Sequence, residues 1–217
     1  IEAPAGQTST AGIQHVDVLV VGAGISGIGA AYHLQQEQPG RSFLLLDALE
    51  ARGGTWWTHR YPGARSDSDL FTFGYGFKPW RGPSIATADE ILAYLDEVIE
   101  ENDLAQHIRY RHRVTAASWS SEERRYTVDV TREDTGEQLR FTTDFLWMCQ
   151  GYYDHDKPFQ PTWDGMDEFA GQVLHPQKWP ADFDASGKRV VVIGSGATAA
   201  TLIPAIAETA EHVTMLQ

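Results

Sequence analysis

The sequence predicts an α/β protein built around two copies of one strand–glycine–helix unit, and three observations carry that prediction. Residues 16–21 form a short β-branched apolar run that ends on glycine, and residues 25–37 behind it carry apolar side chains at helical spacing. Residues 189–193, Gly194 and residues 198–208 repeat the pattern near the other end of the chain. The composition, 42% hydrophobic and 22% charged over 217 residues, allows a packed core and excludes a disordered or collagen-like polymer.

Each element then follows in order. The run 16–21 reads as a buried strand. Ile28, Ala31, Tyr32 and Leu34 give residues 25–37 a helical face, and Pro39-Gly40 stops that helix. Residues 43–46 read as a second buried strand ending on Asp47, which completes a βαβ unit with an expected right-handed crossover. Residues 53–83, rich in glycine, aromatic and charged residues, show little periodicity, and a loop that long is usually functional. A helix is predicted over 88–102, opened by a Thr87/Glu90 capping box, with Ile91, Leu92, Leu95, Val98 and Ile99 on one face. Strands follow at 112–118, 125–131 and 138–149, and Asp134-Thr135-Gly136 turns the chain between the last two. Residues 151–188 form a connector rich in proline and tryptophan, and a further strand begins at 213.

The glycines carry the chemistry. Gly22-Ala23-Gly24-Ile25-Ser26-Gly27 fits G-x-G-x-x-G behind a strand and at the start of a helix. The first glycine makes the tight turn, the second lets backbone amides approach a pyrophosphate, and the third lets helix and strand close. The helix N-terminus faces the anion. Asp47 stands about 20 residues beyond Gly27, where a carboxylate takes a ribose diol. Gly194-Ser195-Gly196-Ala197-Thr198-Ala199 is a second copy with alanine in the third slot. Two copies imply two dinucleotides, one of them most simply a flavin, held in Rossmann-like domains. The residue that distinguishes NAD from NADP is expected beyond Gln217.

Two further segments resemble a known family. Gly53-Gly54-Thr55-Trp56 with Arg60-Tyr61-Pro62-Gly63-Ala64-Arg65-Ser66-Asp67 is similar to the flavin-site segment of class B flavoprotein monooxygenases. Residues 169–180, FAGQVLHPQKWP, match the type I Baeyer–Villiger fingerprint F-x-G-x-x-x-H-x-x-x-W-P/D at every specified position. The resemblance runs from about His15 to Gln217, and it is strongest to the subgroup containing the ethionamide-activating monooxygenase.

The resemblance implies an α/β flavoprotein with two dinucleotide-binding domains. It implies a tail at 1–15, an FAD-binding domain at 16–152, a connector at 153–187 and the start of an NADP-binding domain at 188–217. The cofactors implied are FAD and NADP, and the partners are O2 and a small ketone or sulfide. The reaction implied is Baeyer–Villiger oxygenation through a flavin C4a-peroxide, with sulfur or nitrogen oxygenation as the alternative. Asp67 is the expected catalytic residue beside the flavin. Gly22, Gly24, Ile25, Ser26, Gly27, Asp47, Gly54, Thr55, Trp56, Asp67 and Val114 are expected around FAD. Gly194, Gly196, Ala197 and Thr198 are expected around NADP, and His175 and Trp179 are expected to couple the domains. No metal ligand set is expected.

Family members are roughly twice as long, so the chain is expected to need a C-terminal half that carries the flavin-facing arginine. By itself it is expected to aggregate or to be inactive toward NADPH, because its last βα unit has no partner for its apolar faces.

Other classes are excluded. A net charge of -13 argues against binding a phosphate backbone. No run approaches the roughly 18 apolar residues of a membrane helix, and the N-terminal residues lack a secretory pattern. The single cysteine, Cys149, cannot form an internal disulfide or the C-x-x-C pair of a disulfide reductase. It is expected to be a small buried core residue in a cytoplasmic protein.

Overall fold

The computed structural model describes residues 12–217, and most of the tail expected at 1–15 lies outside the described residues. In chain order the first elements are β1 (Gln14–Val21), α1 (Ile25–Glu37), β2 (Phe43–Leu46), α2 (Thr55–Thr58), α3 (Leu70–Phe73) and α4 (Ala88–Glu101). They are followed by β3 (Ile108–Arg109), β4 (His112–Ser120), β5 (Arg125–Arg132), β6 (Gln138–Met148), β7 (Arg189–Ile193), α5 (Ala197–Ala207) and β8 (His212–Leu216). Two compact units result. The first joins the residues up to Gly54 with Leu95–Gly151, and the second joins Thr55–Tyr94 with Tyr152–Gln217.

The first unit is a six-stranded mixed sheet in the order β3-β2-β1-β6-β5-β4. Strand β1 is central and pairs in parallel with β2 on one side and β6 on the other. Because both faces of its second half are covered, Val18 to Val21 read as a continuous apolar run, with Leu19 and Val20 fully buried. Strands β5 and β6 pair antiparallel and alternate instead, burying Val128, Val130, Phe141 and Thr143. Val16, Leu19, Leu44, Leu46, Val128, Val130 and Phe141 form the core, each contributing about 2 kcal/mol by burial. The turn between β5 and β6 closes where expected, with Gly136 in the left-handed region (φ 73°) and its N–H donating to the Arg132 carbonyl.

Most predicted boundaries agree within two residues. The capping box on α4 is formed: the Thr87 N–H and hydroxyl both donate to Glu90 Oε2, and the Glu90 N–H donates to Thr87 Oγ1. Strand β3 escaped the sequence because two residues carry no periodicity; it pairs with β2 at Leu45 and Leu46. The stretch 53–83 holds two single-turn helices, α2 and α3, and is not wholly irregular. Cys149 lies just past β6 and is only half-buried, and burial pushes its thiol pKa up.

The second unit corrects one expectation. Strands β7 and β8 pair in parallel from Arg189↔His212 to Ile193↔Leu216. Helix α5 buries Leu202 and Ile206 against Tyr61 and Ala185, with Trp179, Phe183, Val190, Val192, Ala210 and Val213 packed around them. The inner face of this βα unit therefore has a partner inside the chain, supplied by the 61–64 turn and the connector. The outer face has none among the described residues: Val191 and Ile193 remain 61% and 56% exposed.

Candidate functional site

The first glycine loop is set by close approach. Gly22 has φ 108°, its N–H donates to the Leu46 carbonyl at 2.8 Å, and a Cβ there would collide with the Cys149 carbonyl. Only glycine satisfies both demands. A Cβ on Gly27 would collide with the Gly22 carbonyl and would also touch Val20, so this glycine closes α1 onto β1. Gly24 differs, because a Cβ there would meet nothing within 4 Å. It stands at the N-terminus of α1, which has no side-chain cap and no acidic residue in its first turn. The loop thus ends in a positive helix end with no side-chain cap and with room at Gly24, and that arrangement suits a pyrophosphate.

Two other segments complete this cradle. Buried Asp47 accepts from the Ala23 N–H (2.6 Å) and the Leu49 N–H (2.7 Å), so the carboxylate expected at a ribose also holds the glycine loop in shape. The Gly53 N–H donates to the Ala23 carbonyl, and a Cβ on Gly54 would lie 3.6 Å from Gly24 Cα. Gly22, Gly24, Ile25, Ser26, Gly27, Asp47 and Gly54 are thus brought together. Val114 lies on β4 beside a register shift and packs against the sheet core.

The second loop repeats the first in backbone conformation. Gly194 has φ 118°, and Gly196 has φ -77° and ψ -174°, against φ 108° at Gly22 and φ -78° and ψ -171° at Gly24. The Gly194 N–H donates to Leu216 at the end of β8, as Gly22 donates to Leu46 at the end of β2. Helix α5 begins at Ala197 and Thr198 without a side-chain cap at Gly196.

Within the second unit, Thr55 and Trp56 open α2, and the Trp56 ring meets Phe73 edge-on at 6.2 Å. Asp67 is exposed and accepts from Ser68 Oγ at 3.3 Å. It caps nothing among the described residues; Asp69 caps α3 by accepting from the Phe71 N–H. Buried Ser66 fixes the backbone just before Asp67, exchanging hydrogen bonds with Ala86 through its N–H and its hydroxyl. His175 accepts from the Gln177 N–H and so caps the 3-10 turn at Pro176–Lys178. Trp179 meets Phe183 edge-on at 5.2 Å in the core beneath α5.

Comparison with known proteins decides the family. Residues 77–217 match the family described as flavin-binding monooxygenase-like, and residues 20–98 match an NAD(P)-binding Rossmann-like domain. The chain belongs to the flavin-binding monooxygenase-like family. It is 52% identical over 206 residues to the FAD-containing monooxygenase EthA of Mycolicibacterium smegmatis, a match covering 94% of this chain and 42% of the relative. The probable FAD-binding monooxygenase AlmA of Acinetobacter baylyi is 48% identical over 94% of this chain and 41% of its own length.

Among solved structures, an oxidized steroid monooxygenase bound to NADP superposes with a TM-score of 0.79 at 38% identity, over 94% of this chain and 39% of that one. A cyclohexanone monooxygenase from Rhodococcus sp. Phi1 bound to NADP+ superposes at 0.78 with 32% identity, over 95% and 38%. The chain thus spans about two fifths of the length of the monooxygenases it matches. The two-domain flavoprotein fold and the resemblance to class B monooxygenases are borne out.

This family member also holds residues that the sequence did not single out. Gly63 has φ 79°, and a Cβ there would collide with the Thr201 carbonyl on α5, while the Tyr61 hydroxyl meets Thr201 Oγ1 at 3.2 Å. His59 is buried, and its ring nitrogen lies 2.9 Å from the Thr55 carbonyl. Burial depresses its pKa, His155 and His175 depress it further, and the Thr55 carbonyl opposes them. The Y-P-G triplet is a turn signal that could have flagged Gly63, whereas no spacing flags His59. Among the described residues, one group of metal-capable side chains comes together, His15, Asp17 and Asp144, on the surface and with Asp17 already bonded to Ser42. No helix among them is long and apolar enough to cross a membrane.

Proposed function

We propose that this chain carries the FAD site and the beginning of the NADP site of an NADPH-driven monooxygenase that inserts one oxygen atom of O2 into a ketone, giving an ester or lactone. The observation that carries the two-cofactor reading is the repeated glycine loop, one backbone conformation at Gly22–Gly24 and at Gly194–Gly196, each opening an uncapped helix. The ketone reading is supported by the fingerprint through Phe169, Gly171, His175, Trp179 and Pro180, and by relatives described as cyclohexanone and steroid monooxygenases.

In this reading residues 16–152 hold FAD, 153–187 connect, and 188–217 begin the NADP domain. The bound flavin supplies electron transfer from NADPH and activation of O2. The amides at Gly24, Ile25 and Ser26 hold the pyrophosphate, as those at Gly196, Ala197 and Thr198 do for NADP. Gly54 lets the chain pass close to the first loop, and Thr55 and Trp56 pack on the flavin and exclude water from it. Asp67 places a negative charge beside the reacting ring and tunes the proton balance there. His175 and Trp179 carry cofactor movement between domains.

The test is incubation of the full-length protein with FAD, NADPH, a cyclic ketone and isotope-labelled O2, with the products read by mass spectrometry. One labelled oxygen in a lactone supports the proposal. NADPH consumption that yields only hydrogen peroxide with each of several cyclic and linear ketones rejects it.

A further inference from the structure

The one buried histidine among the described residues lies immediately after the α2 turn. Helix α2 has only four residues, and a single helical turn is marginal without outside support. Its Thr55 carbonyl receives the His59 N–H at 2.9 Å and faces the His59 ring Nδ1, also at 2.9 Å. Thr58 Oγ1 lies 3.2 Å from the same carbonyl and 3.2 Å from each of His59 Nδ1 and His155 Nδ1. A peptide group is planar and trans, so fixing the Thr55 carbonyl also fixes the direction of the Trp56 N–H.

We infer that His59 is a positioning residue: its neutral ring, donating from Nδ1 to Thr55, sets the Thr55–Trp56 peptide in the orientation that a bound flavin requires. The inference rests on the FAD reading above. The tautomer is assigned from the bond itself, since a carbonyl can only accept. The ring is held in place by Tyr153, with centroids 4.9 Å apart, and by Tyr61 at 6.2 Å. The titratable groups around it are therefore Tyr61 on its own segment, Tyr153 and His155 after β6, and His175 in the connector.

Burial and the two neighbouring histidines penalise the charged ring and outweigh the Thr55 carbonyl, which accepts from either form, so protonation strains the buried packing that holds the ring in place. The folded-state pKa is lowered below 6.5, so the contribution is complete above about 6.5 and is lost as pH falls toward the folded value. Asn is the informative replacement. Its amide nitrogen can occupy the Nδ1 position and donate, and it does not titrate.

The experiment measures FAD dissociation, by flavin fluorescence, from the full-length FAD-loaded protein at pH about 7.5 and about 5.5. His59→Leu is expected to weaken FAD about tenfold at the higher pH, the scale of one buried hydrogen bond. His59→Asn is expected to stay near wild type there and to lose less FAD than wild type on acidification. Wild-type affinity in His59→Leu, or a His59→Asn profile that follows wild type across both pH values, overturns the inference. If His59→Leu does not fold, the comparison of His59→Asn with wild type decides by the same rule. A wild-type protein that takes no FAD at either pH removes the FAD reading and this inference with it.

Discussion

A side-chain carbon on Gly27 would collide with the carbonyl oxygen of Gly22, whereas one on Gly24, three residues earlier, would touch nothing. The same motif therefore contains two glycines that the fold demands, Gly22 and Gly27, and one, Gly24, that the fold does not demand and that the proposed FAD site would use. Gly27→Ala is expected to cost about 3 kcal/mol or more, because the obstacle is backbone and cannot rotate away. Gly24→Ala should cost about 1 kcal/mol or less, the scale of an N-cap change. It should nevertheless yield colourless protein, since the added methyl occupies the space of the pyrophosphate. Thermal melting and visible flavin absorbance separate the two. A yellow Gly24→Ala protein with normal flavin content would remove this loop from the FAD site.

Asp67 and Asp69 lie two residues apart and are expected to part company on mutation. Asp69 accepts from the Phe71 N–H at the start of α3, so Asp69→Ala should lose about 1 kcal/mol of stability. Asp67 is exposed and, among the described residues, accepts only a 3.3 Å hydrogen bond from its neighbour Ser68, so Asp67→Ala should shift stability by no more than about 0.5 kcal/mol. In the full-length enzyme its loss should reduce ester formation about a hundredfold with FAD retained, the scale of a lost electrostatic or acid–base group. Unchanged turnover in Asp67→Ala would take the residue out of the reaction.

The parts legible in the sequence were those that repeat or carry a strong local signal. Residues 16–21, 25–37 and 43–46 declared themselves by period and by glycine, and the structure finds β1, α1 and β2 there with small shifts. The Thr87/Glu90 box and the 134–136 turn did so through side chains that bond their own backbone. What stayed hidden depends on residues far apart in sequence. Tyr61 meets Thr201 and Thr58 meets His155 by tertiary folding, and no periodicity records such a pair. The inner face of α5 was read as lacking a partner for the same reason, since its partners sit on a turn and a connector with no regular pattern. The second role of Asp47 was equally hidden: a carboxylate at a strand end signals a ribose, but nothing in the spacing shows that it also receives the Ala23 N–H.

Asp17 gives a pH dependence whose sign can be worked out. Its carboxylate accepts from the Ser42 hydroxyl and N–H, both at 2.7 Å, with Arg41 nearby, and these hold its pKa below 3.8 against the opposing effect of burial. A carboxylate with a depressed folded pKa adds stability that is complete above its unfolded pKa. That stability is lost as pH falls through the folded pKa. Melting temperature should therefore decline less steeply below pH about 4 in Asp17→Asn than in wild type, from a lower starting value at neutral pH. Parallel acid profiles for the two proteins would show that the Ser42 bonds do not favour the ionised form.

The outer face of the β7–β8 pair sets the last expectation. Paired residues in a parallel ladder point to the same side, so Val191 and Ile193 share a face with Leu216, which pairs with Ile193. These three are 61%, 56% and 54% exposed, while Val190 and Val192 on the opposite face pack beneath α5. A contiguous apolar face of this kind on a two-stranded sheet is a site of association. A polypeptide of these 217 residues is therefore expected to self-associate with rising concentration and to bind a hydrophobic dye. Val191→Thr with Ile193→Thr should reduce both signals. Threonine keeps the β-branched shape that strands favour, and neither position contributes to the core around Leu202 and Ile206, so the unit should remain folded. Light scattering over a concentration series makes the comparison. If the wild-type polypeptide is monomeric throughout, or the double variant associates equally, the face is not adhesive and association must be sought elsewhere on the surface.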